Sequence, residues 1–174
     1  MEKKDEIISI RISSQLKEKL LKDSQEKKIS LNTSLNQIIS DHVNWNKFMS
    51  ELGMLYTTKK IYEDMFSKIN DDDLKDIALN SFKSGIKNTA AFVYHDFNFT
   101  TLVEAMESWS RSADMHFTHL NGENEKFIIH HPLGKKYSKC LYICLESLLS
   151  ELDYKTKDPR IENDGLIFEL IKNN

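Results

Sequence analysis

The sequence predicts an α+β protein in three segments: a strand and two helices over residues 1–48, a helical connector over 49–97, and an α+β domain over 98–174. Three observations support this division. Isoleucines alternate with polar residues near the start, apolar residues recur at helical spacing through the first half, and the last part contains two helix–hairpin units. We therefore expect the third segment to form a four-stranded antiparallel sheet with helices on one face.

The composition is that of a globular protein. The chain has 174 residues, of which 40% are hydrophobic and 29% charged. Its longest apolar runs are about five residues, whereas a membrane span needs about 20 and a secretory signal about 7–15. We expect a cytoplasmic protein with no membrane partner, in which the two cysteines are reduced thiols.

The charge is unevenly distributed along the chain. Residues 1–48 contain nine Lys or Arg against seven Asp or Glu, and residues 49–174 contain fifteen against twenty. A mildly basic first segment on an acidic remainder suits a small nucleic-acid-binding module attached to a larger domain.

A strand with one apolar face is predicted at residues 7–12. Ile8, Ile10 and Ile12 lie on one face, and the other face carries the alternate residues of the run, Ile7, Ser9 and Arg11. No second strand lies in this segment, and backbone N–H and C=O groups need partners. The simplest partner is the same strand of a second chain, antiparallel about a twofold axis.

Two helices should follow this strand. Ser13 or Ser14 can cap the first, and its pattern stops near Lys28. Ser30 can cap the second, which we expect to continue through Trp45, Phe48 and Leu52 and to end at Gly53. The apolar positions that define the two helices are Leu16, Leu20, Leu21, Leu31, Leu35, Ile38, Ile39 and Val43.

The order strand, helix, turn, helix over residues 6–45 resembles the ribbon-helix-helix family of DNA-binding proteins. The residues that carry the resemblance are 8–12, 14–20 and 29–39, and it covers about a quarter of the chain. It implies a homodimer whose two-stranded ribbon enters the major groove of double-stranded DNA. It also implies base contacts by Ile7, Ser9 and Arg11, and phosphate contacts by Lys28, Ser30, Asn32 and Thr33.

One position departs from the family pattern. Members usually carry glycine at the turn between the helices, where this chain has Lys28. Either the turn differs, or Lys28 adopts a left-handed conformation that costs about 1 kcal/mol.

The remaining chain is predicted to be helical up to a pair of helix–hairpin units. Thr57 or Thr58 should start one helix and Asp71 should cap the next, and residues 88–97 either extend this second helix or form a strand. The expected units are a helix at 100–113, capped by Thr101 with Glu104, a hairpin at 115–120 and 126–131, a helix at 135–152, and a hairpin at 160–162 and 166–171.

This order also resembles the small-ligand-binding domains called vinyl-reductase-like, on residues 140–149 and 161–168. The resemblance implies that the third segment binds a small-molecule effector or mediates further assembly. Many members carry cysteines around the last hairpin and this chain has none there, so no site is assigned from it. The whole organisation is also similar to uncharacterised archaeal regulators.

No cofactor, metal or catalytic motif is expected. The metal candidates are His119, His130 and Cys140, but the adjacent pair His130-His131 points to opposite faces of a strand and breaks the spacing found in nickel-responsive repressors. The sequence has no nucleophile elbow, Gly-rich phosphate loop or HExxH motif. We therefore expect a protein that is not an enzyme.

The function we expect is sequence-specific regulation of transcription, as a repressor that acts as a homodimer or a higher oligomer. Two alternatives remain. An antitoxin would pair such a module with a toxin-binding tail, although the aromatic-rich remainder indicates a prefolded domain. An architectural protein would coat DNA without preferring one operator.

Overall fold

A computed structural model of the chain describes residues 6–122 and 125–173. The chain divides into two compact units, Met1–Val43 and Asn44–Asn174. We call the first unit the head and the second the body.

The head contains two helices, α1 (Ser14–Glu26) and α2 (Leu31–Asn44). Ser13 caps α1, where its hydroxyl accepts a hydrogen bond from the Leu16 amide at 3.2 Å. In the single chain, residues 6–13 form neither helix nor strand. A strand needs a hydrogen-bonded neighbour, and the head has no other extended segment among its described residues to supply one.

The predicted continuation of α2 to Gly53 is wrong. The helix ends at Asn44, because Trp45 leaves the helical region with φ −143° and ψ −62°. A short 3₁₀ helix, Asn46–Phe48, follows. Gly53 has the positive φ of 67° expected of a chain reversal, but it lies beyond this 3₁₀ turn.

The body begins with a helical layer. Helix α3 (Lys59–Lys68) is capped by Thr58, as predicted. Helix α4 (Asp71–Asp76), a π-helical segment (Ile77–Phe82) and α5 (Lys83–Tyr94) then follow without a break. The cap of α4 is Asn70 rather than the predicted Asp71, which becomes the first helical residue. Residues 88–94 belong to α5, so most of the segment 88–97 extends the helix, and His95, with φ 63°, follows its last residue.

The two predicted helix–hairpin units are confirmed. They are α6 (Phe99–Ser112) with β1 (His116–Leu120) and β2 (Lys126–His130), then α7 (Lys135–Glu151) with β3 (Tyr154–Glu162) and β4 (Gly165–Lys172). The strands form one antiparallel sheet in the order β1-β2-β4-β3. The predicted capping box on α6 is displaced: Asn98 and Thr101 form it, so Glu104 takes no part.

One core joins the helical layer to the sheet. Alternate sheet residues are buried against the helices, among them Phe127, Ile129 and Phe168. Phe66 of α3 and Leu74 of α4 belong to the same buried cluster as the apolar stripe of α7. The segment predicted as a connector therefore packs into the core of the body.

Glycine is required where the two hairpins meet. Gly165 opens β4 opposite His130, and a Cβ at this position would lie 2.1 Å from the Ile129 carbonyl oxygen. The predicted second turn is thus made by Asn163 and Asp164, and Gly165 permits the close approach of two backbones.

Within residues 6–122 and 125–173, none of the helices combines the length and the apolar character that crossing a membrane requires.

The two units should differ in how they fold alone. We expect a fragment of residues 44–174 to unfold cooperatively at a midpoint independent of protein concentration, because it has its own core. A fragment of residues 1–45 should gain helix only as its concentration rises. Circular dichroism melts over a hundredfold concentration range measure both. A head fragment that is fully helical at the lowest concentration would contradict this.

Candidate functional site

The first candidate site is the exposed segment at the start of the head. Ile7 is 97% exposed, Ile8 82% and Ile10 59%. Ser9 and Arg11, the predicted base-contacting residues beside Ile7, are exposed as well. Ile8 and Ile10 occupy alternate positions of the predicted apolar face, and large apolar side chains exposed side by side are typical of interaction surfaces.

The head has no apolar core of its own. Within residues 6–43 the fully buried side chains are two serines, Ser24 and Ser34. Helical units normally bury an apolar stripe against a neighbour. The large apolar residues of the head that are exposed are Ile7, Ile8, Ile10, Ile12, Leu16, Leu21, Ile38, Ile39 and Val43.

Lys28 adopts the strained conformation at the turn between α1 and α2. Its φ is 56°, and its amide donates to the Gln25 carbonyl at 3.1 Å. The next amide, that of Ile29, donates to the Ser24 carbonyl at 3.0 Å. These two bonds form a Schellman motif, whose left-handed position is usually glycine. Of the two sequence alternatives, the structure has the left-handed lysine.

The four predicted phosphate-contacting residues lie together at the start of α2. Ser30 caps the helix, since its hydroxyl accepts from the Thr33 amide at 3.0 Å and lies 2.7 Å from the Thr33 hydroxyl. Lys28 precedes this cap by two positions, and Asn32 is exposed within the first turn. A capped helix start with an adjacent lysine favours an anion.

The second candidate site is a cavity of about 840 Å³ in the body. Its walls come from α3, the π-helical segment, α5, α6, the stretch between α6 and β1, the start of α7 with Leu133 before it, and the stretch from Trp45 to α3. The exposed side chains of Leu55, Tyr56 and Met65 border its open side. A drug-sized ligand occupies a pocket of about 300–1,000 Å³, so the cavity is large enough for a small molecule.

The three metal candidates of the sequence, His119, His130 and Cys140, do not form one cluster in the structure. His119 is bound to Glu125, with Nε2 and Oε1 2.7 Å apart, whereas His130 is exposed and Cys140 is buried in the core. Across the described parts of the chain, no group of three or more His, Cys, Asp or Glu side chains could hold a metal ion. Burial raises the pKa of the Cys140 and Cys144 thiols to about 12, so both are poor nucleophiles at neutral pH.

His131 joins three parts of the body. Its Nδ1 accepts from the Leu133 amide at 3.1 Å, so the proton of the neutral ring is on Nε2, which lies 3.0 Å from the Ser138 hydroxyl. That hydroxyl donates to the Glu162 carbonyl at 2.6 Å. Burial lowers the pKa of the His131 imidazole from 6.5 to about 4. The ring is therefore a neutral structural group, and the sequence pattern did not reveal this role.

Sequence reasoning also missed the cavity. Its lining comes from positions between Trp45 and Tyr137, and no local motif joins them. The sequence held no signal for the cavity, because the fold alone brings its methionines and tryptophans together.

A comparison with known proteins gives no match. No protein-family model matches the chain, and no curated protein or solved structure is significantly similar to it.

Replacing Lys28 should reveal the strain in the turn. We expect Lys28→Gly to raise the free energy of unfolding of the head by about 1 kcal/mol relative to Lys28→Ala, because both remove the side chain and only glycine relieves the positive φ. Urea unfolding followed by circular dichroism measures the difference. Equal stabilities would show that the turn carries no strain.

Acid should destabilise the body through His131. The pKa of the His131 ring is 6.5 in the unfolded chain and about 4 in the folded chain. The free energy of unfolding therefore keeps the full contribution of the neutral ring above pH 6.5 and decreases as the pH falls from 6.5 towards 4. Between pH 7.5 and 5 we expect a loss of about 1–2 kcal/mol. His131→Gln should abolish this loss, whereas His130→Gln, at the exposed neighbour, should retain it. An unchanged pH profile for His131→Gln would assign the loss to other groups.

Proposed function

We propose that the protein is a homodimeric, sequence-specific DNA-binding regulator of the ribbon-helix-helix type, in which residues 7–12 of two chains pair as an antiparallel ribbon. The observation that carries this proposal is the absence of a buried apolar side chain within residues 6–43. A second copy is the partner that meets both requirements of this segment, since it supplies a hydrogen-bonded neighbour and an apolar surface.

Pairing of two chains would stabilise the head by burying its exposed apolar side chains. Ile8, Ile10 and Ile12 would turn inward, together with the exposed apolar residues of α1 and α2. Full burial of one isoleucine stabilises a fold by about 1.5–3 kcal/mol, and each burial occurs twice in a twofold dimer. This gain offsets the entropy of ordering two otherwise unpaired segments.

The same pairing defines the DNA-reading face. Side chains alternate across a strand, so inward Ile8, Ile10 and Ile12 place the alternate residues on the outer face. Those residues are Ile7, Ser9 and Arg11. A two-stranded ribbon fits the major groove, where arginine bonds guanine in bidentate fashion and an aliphatic side chain contacts the thymine methyl.

The start of α2 would hold the DNA backbone. Lys28 supplies a charge, and the first-turn amides of α2 supply donors beside Ser30, Asn32 and Thr33. These contacts would position the ribbon without reading sequence. The acidic body, with its separate core, would remain off the DNA and carry the effector or assembly role. We place this regulator in the cytoplasm and expect it to repress its targets.

The antitoxin and architectural alternatives predict a different body and a different pattern of DNA binding from those of a regulator. An antitoxin tail that folds on its toxin would lack a core, whereas the body contains one buried cluster spanning its helices and sheet. An architectural protein would bind DNA uniformly. A genome-wide binding profile separates the two DNA-binding functions, because a regulator gives a few high-affinity sites.

Arg11 should carry specificity at the operator found in this way. We expect Arg11→Ala to weaken operator binding by about 1–3 kcal/mol and to relax one base position, because a bidentate contact to guanine is lost. Titrations of operator and random DNA at fixed salt provide the measurement. Arg160→Ala, at an exposed arginine of the body, should bind as the unmodified protein does. If Arg11→Ala lowered the affinity for operator and random DNA equally, Arg11 would contact a phosphate and not a base.

A further inference from the structure

The two edges of the sheet are protected differently. The strand order places β1 (His116–Leu120) at one edge and β3 (Tyr154–Glu162) at the other. An exposed edge strand can pair with a further chain, and proteins prevent this with charges, proline and bulges. β3 has all three, because its register shifts between Lys157 and Arg160, an interval that contains Pro159. β1 contains no Asp, Glu, Lys, Arg or Pro.

The hydrogen bonds of the inner strands show which backbone groups of β1 face outward. Immediately before β2, the Leu170 amide of β4 donates to the Glu125 carbonyl at 2.7 Å. The bonding direction alternates along an antiparallel strand, so odd-numbered residues of β2 bond to β4 and even-numbered ones bond to β1. The residues of β1 that lie opposite those even-numbered positions are His116, Thr118 and Leu120.

Phe117 and His119 therefore direct their backbone N–H and C=O groups out of the sheet. Within the described parts of the chain, these groups have no hydrogen-bond partner. The side chains of both residues are half-buried, and both pack against Phe127. β1 is thus held in place by its side chains, while its outer edge presents donors and acceptors to another strand.

The sequence of β1 is complementary to itself. If two β1 strands lie antiparallel about a twofold axis through Thr118, Phe117 of each copy lies opposite His119 of the other. All outward N–H and C=O groups of these two residues then have partners. Thr118, on the exposed face of the sheet, lies opposite its own copy, and threonine pairs across strands are favourable.

We propose that the body self-associates through β1, which pairs with β1 of a second copy and joins two four-stranded sheets into one. A second copy fits this edge because an uncharged strand meets itself without bringing like charges together. A charged peptide would find no opposite charge on β1. The pairing gives the body an assembly role.

The contact between two strands of five residues is small, so it is weak by itself. The ribbon of the head holds two bodies close together and raises their effective concentration to about the millimolar range. In this respect the inference rests on the proposed function. We expect the bodies to pair at low protein concentration when the heads are paired, and only at higher concentration when they are not.

Cysteine cross-linking of the full chain tests the register. Thr118 occupies a non-hydrogen-bonded position of the new pair, where opposite Cα atoms are about 4.5 Å apart, a separation that a disulfide spans. Thr118→Cys should therefore form a covalent dimer under mild oxidation. His116→Cys, on the same face, should not, because its own copy is displaced by about 14 Å along the strands. Cys140 and Cys144 are buried, so the unmodified chain serves as the blank.

A mixture of two variants checks the same register. His116→Cys should cross-link to Leu120→Cys, which lies opposite it in the pair. Equal cross-linking of Thr118→Cys and His116→Cys alone, or none with Thr118→Cys, would overturn the pairing of β1.

Amide hydrogen exchange gives a readout without added cysteines. The Phe117 and His119 amides should exchange slowly in the unmodified protein and rapidly in Thr118→Lys, which places two like charges opposite each other. The amide of residue 118 bonds to β2 in both proteins, so its slow exchange shows that the sheet is intact. Rapid exchange of the Phe117 and His119 amides in the unmodified dimer would contradict the proposal.

A head variant separates this inference from the proposed function. Ile10→Asp places a carboxylate on the apolar face of the ribbon and should abolish pairing of the heads. Cross-linking through Thr118→Cys should then require a higher protein concentration. If Ile10→Asp leaves it unchanged, β1 pairing stands and the tethering by the heads fails. If the chain is dimeric through its head and Thr118→Cys does not cross-link, the proposed function stands and β1 pairing fails.

Discussion

Within one chain, the head of this protein leaves its large apolar side chains exposed, and the proposed dimer rests on this observation. Nine large apolar side chains of residues 7–43 are exposed, and the buried positions of the described head are occupied by serines. Two helices of 13 and 14 residues are also short for stability in isolation. In the proposed dimer, residues 7–12 and both helices would pack against their copies, which would remove both problems together.

The body, in contrast, buries an apolar core within one chain. Its helices and sheet share one buried cluster, and His131 adds a neutral hydrogen-bonded link between the end of β2, the start of α7 and the end of β3. The π-helical segment (Ile77–Phe82) contributes Ser81 and Phe82 to the cavity wall. Such segments often mark functional sites, because they widen a helix locally. Trp45 lines this cavity, and it directly follows Asn44, the last residue of α2.

Local signals predicted most of the helices and the sheet. Helix–hairpin units, the caps at Ser13 and Thr58 and the antiparallel sheet follow from periodicity and turn chemistry over short stretches. The end of α2 was not predictable in this way. Phe48 and Leu52 continue the helical spacing of apolar residues, although the helix ends before Trp45, which lines the cavity. The cavity and the His131 network join residues far apart in sequence. The strand predicted at residues 7–12 is not formed in the structure, because the described head offers no second extended segment to pair with it.

The most direct test of the central claim is the contact between two N-terminal segments. In a dimer of isotope-labelled and unlabelled chains, filtered nuclear Overhauser spectra detect protons that lie close across the chains. We expect cross-chain contacts between Hα atoms of residues 8–12 whose two residue numbers have a constant sum, as antiparallel pairing about a twofold axis requires. A dimer without such contacts, or with contacts at equal residue numbers along the whole segment, would contradict the ribbon.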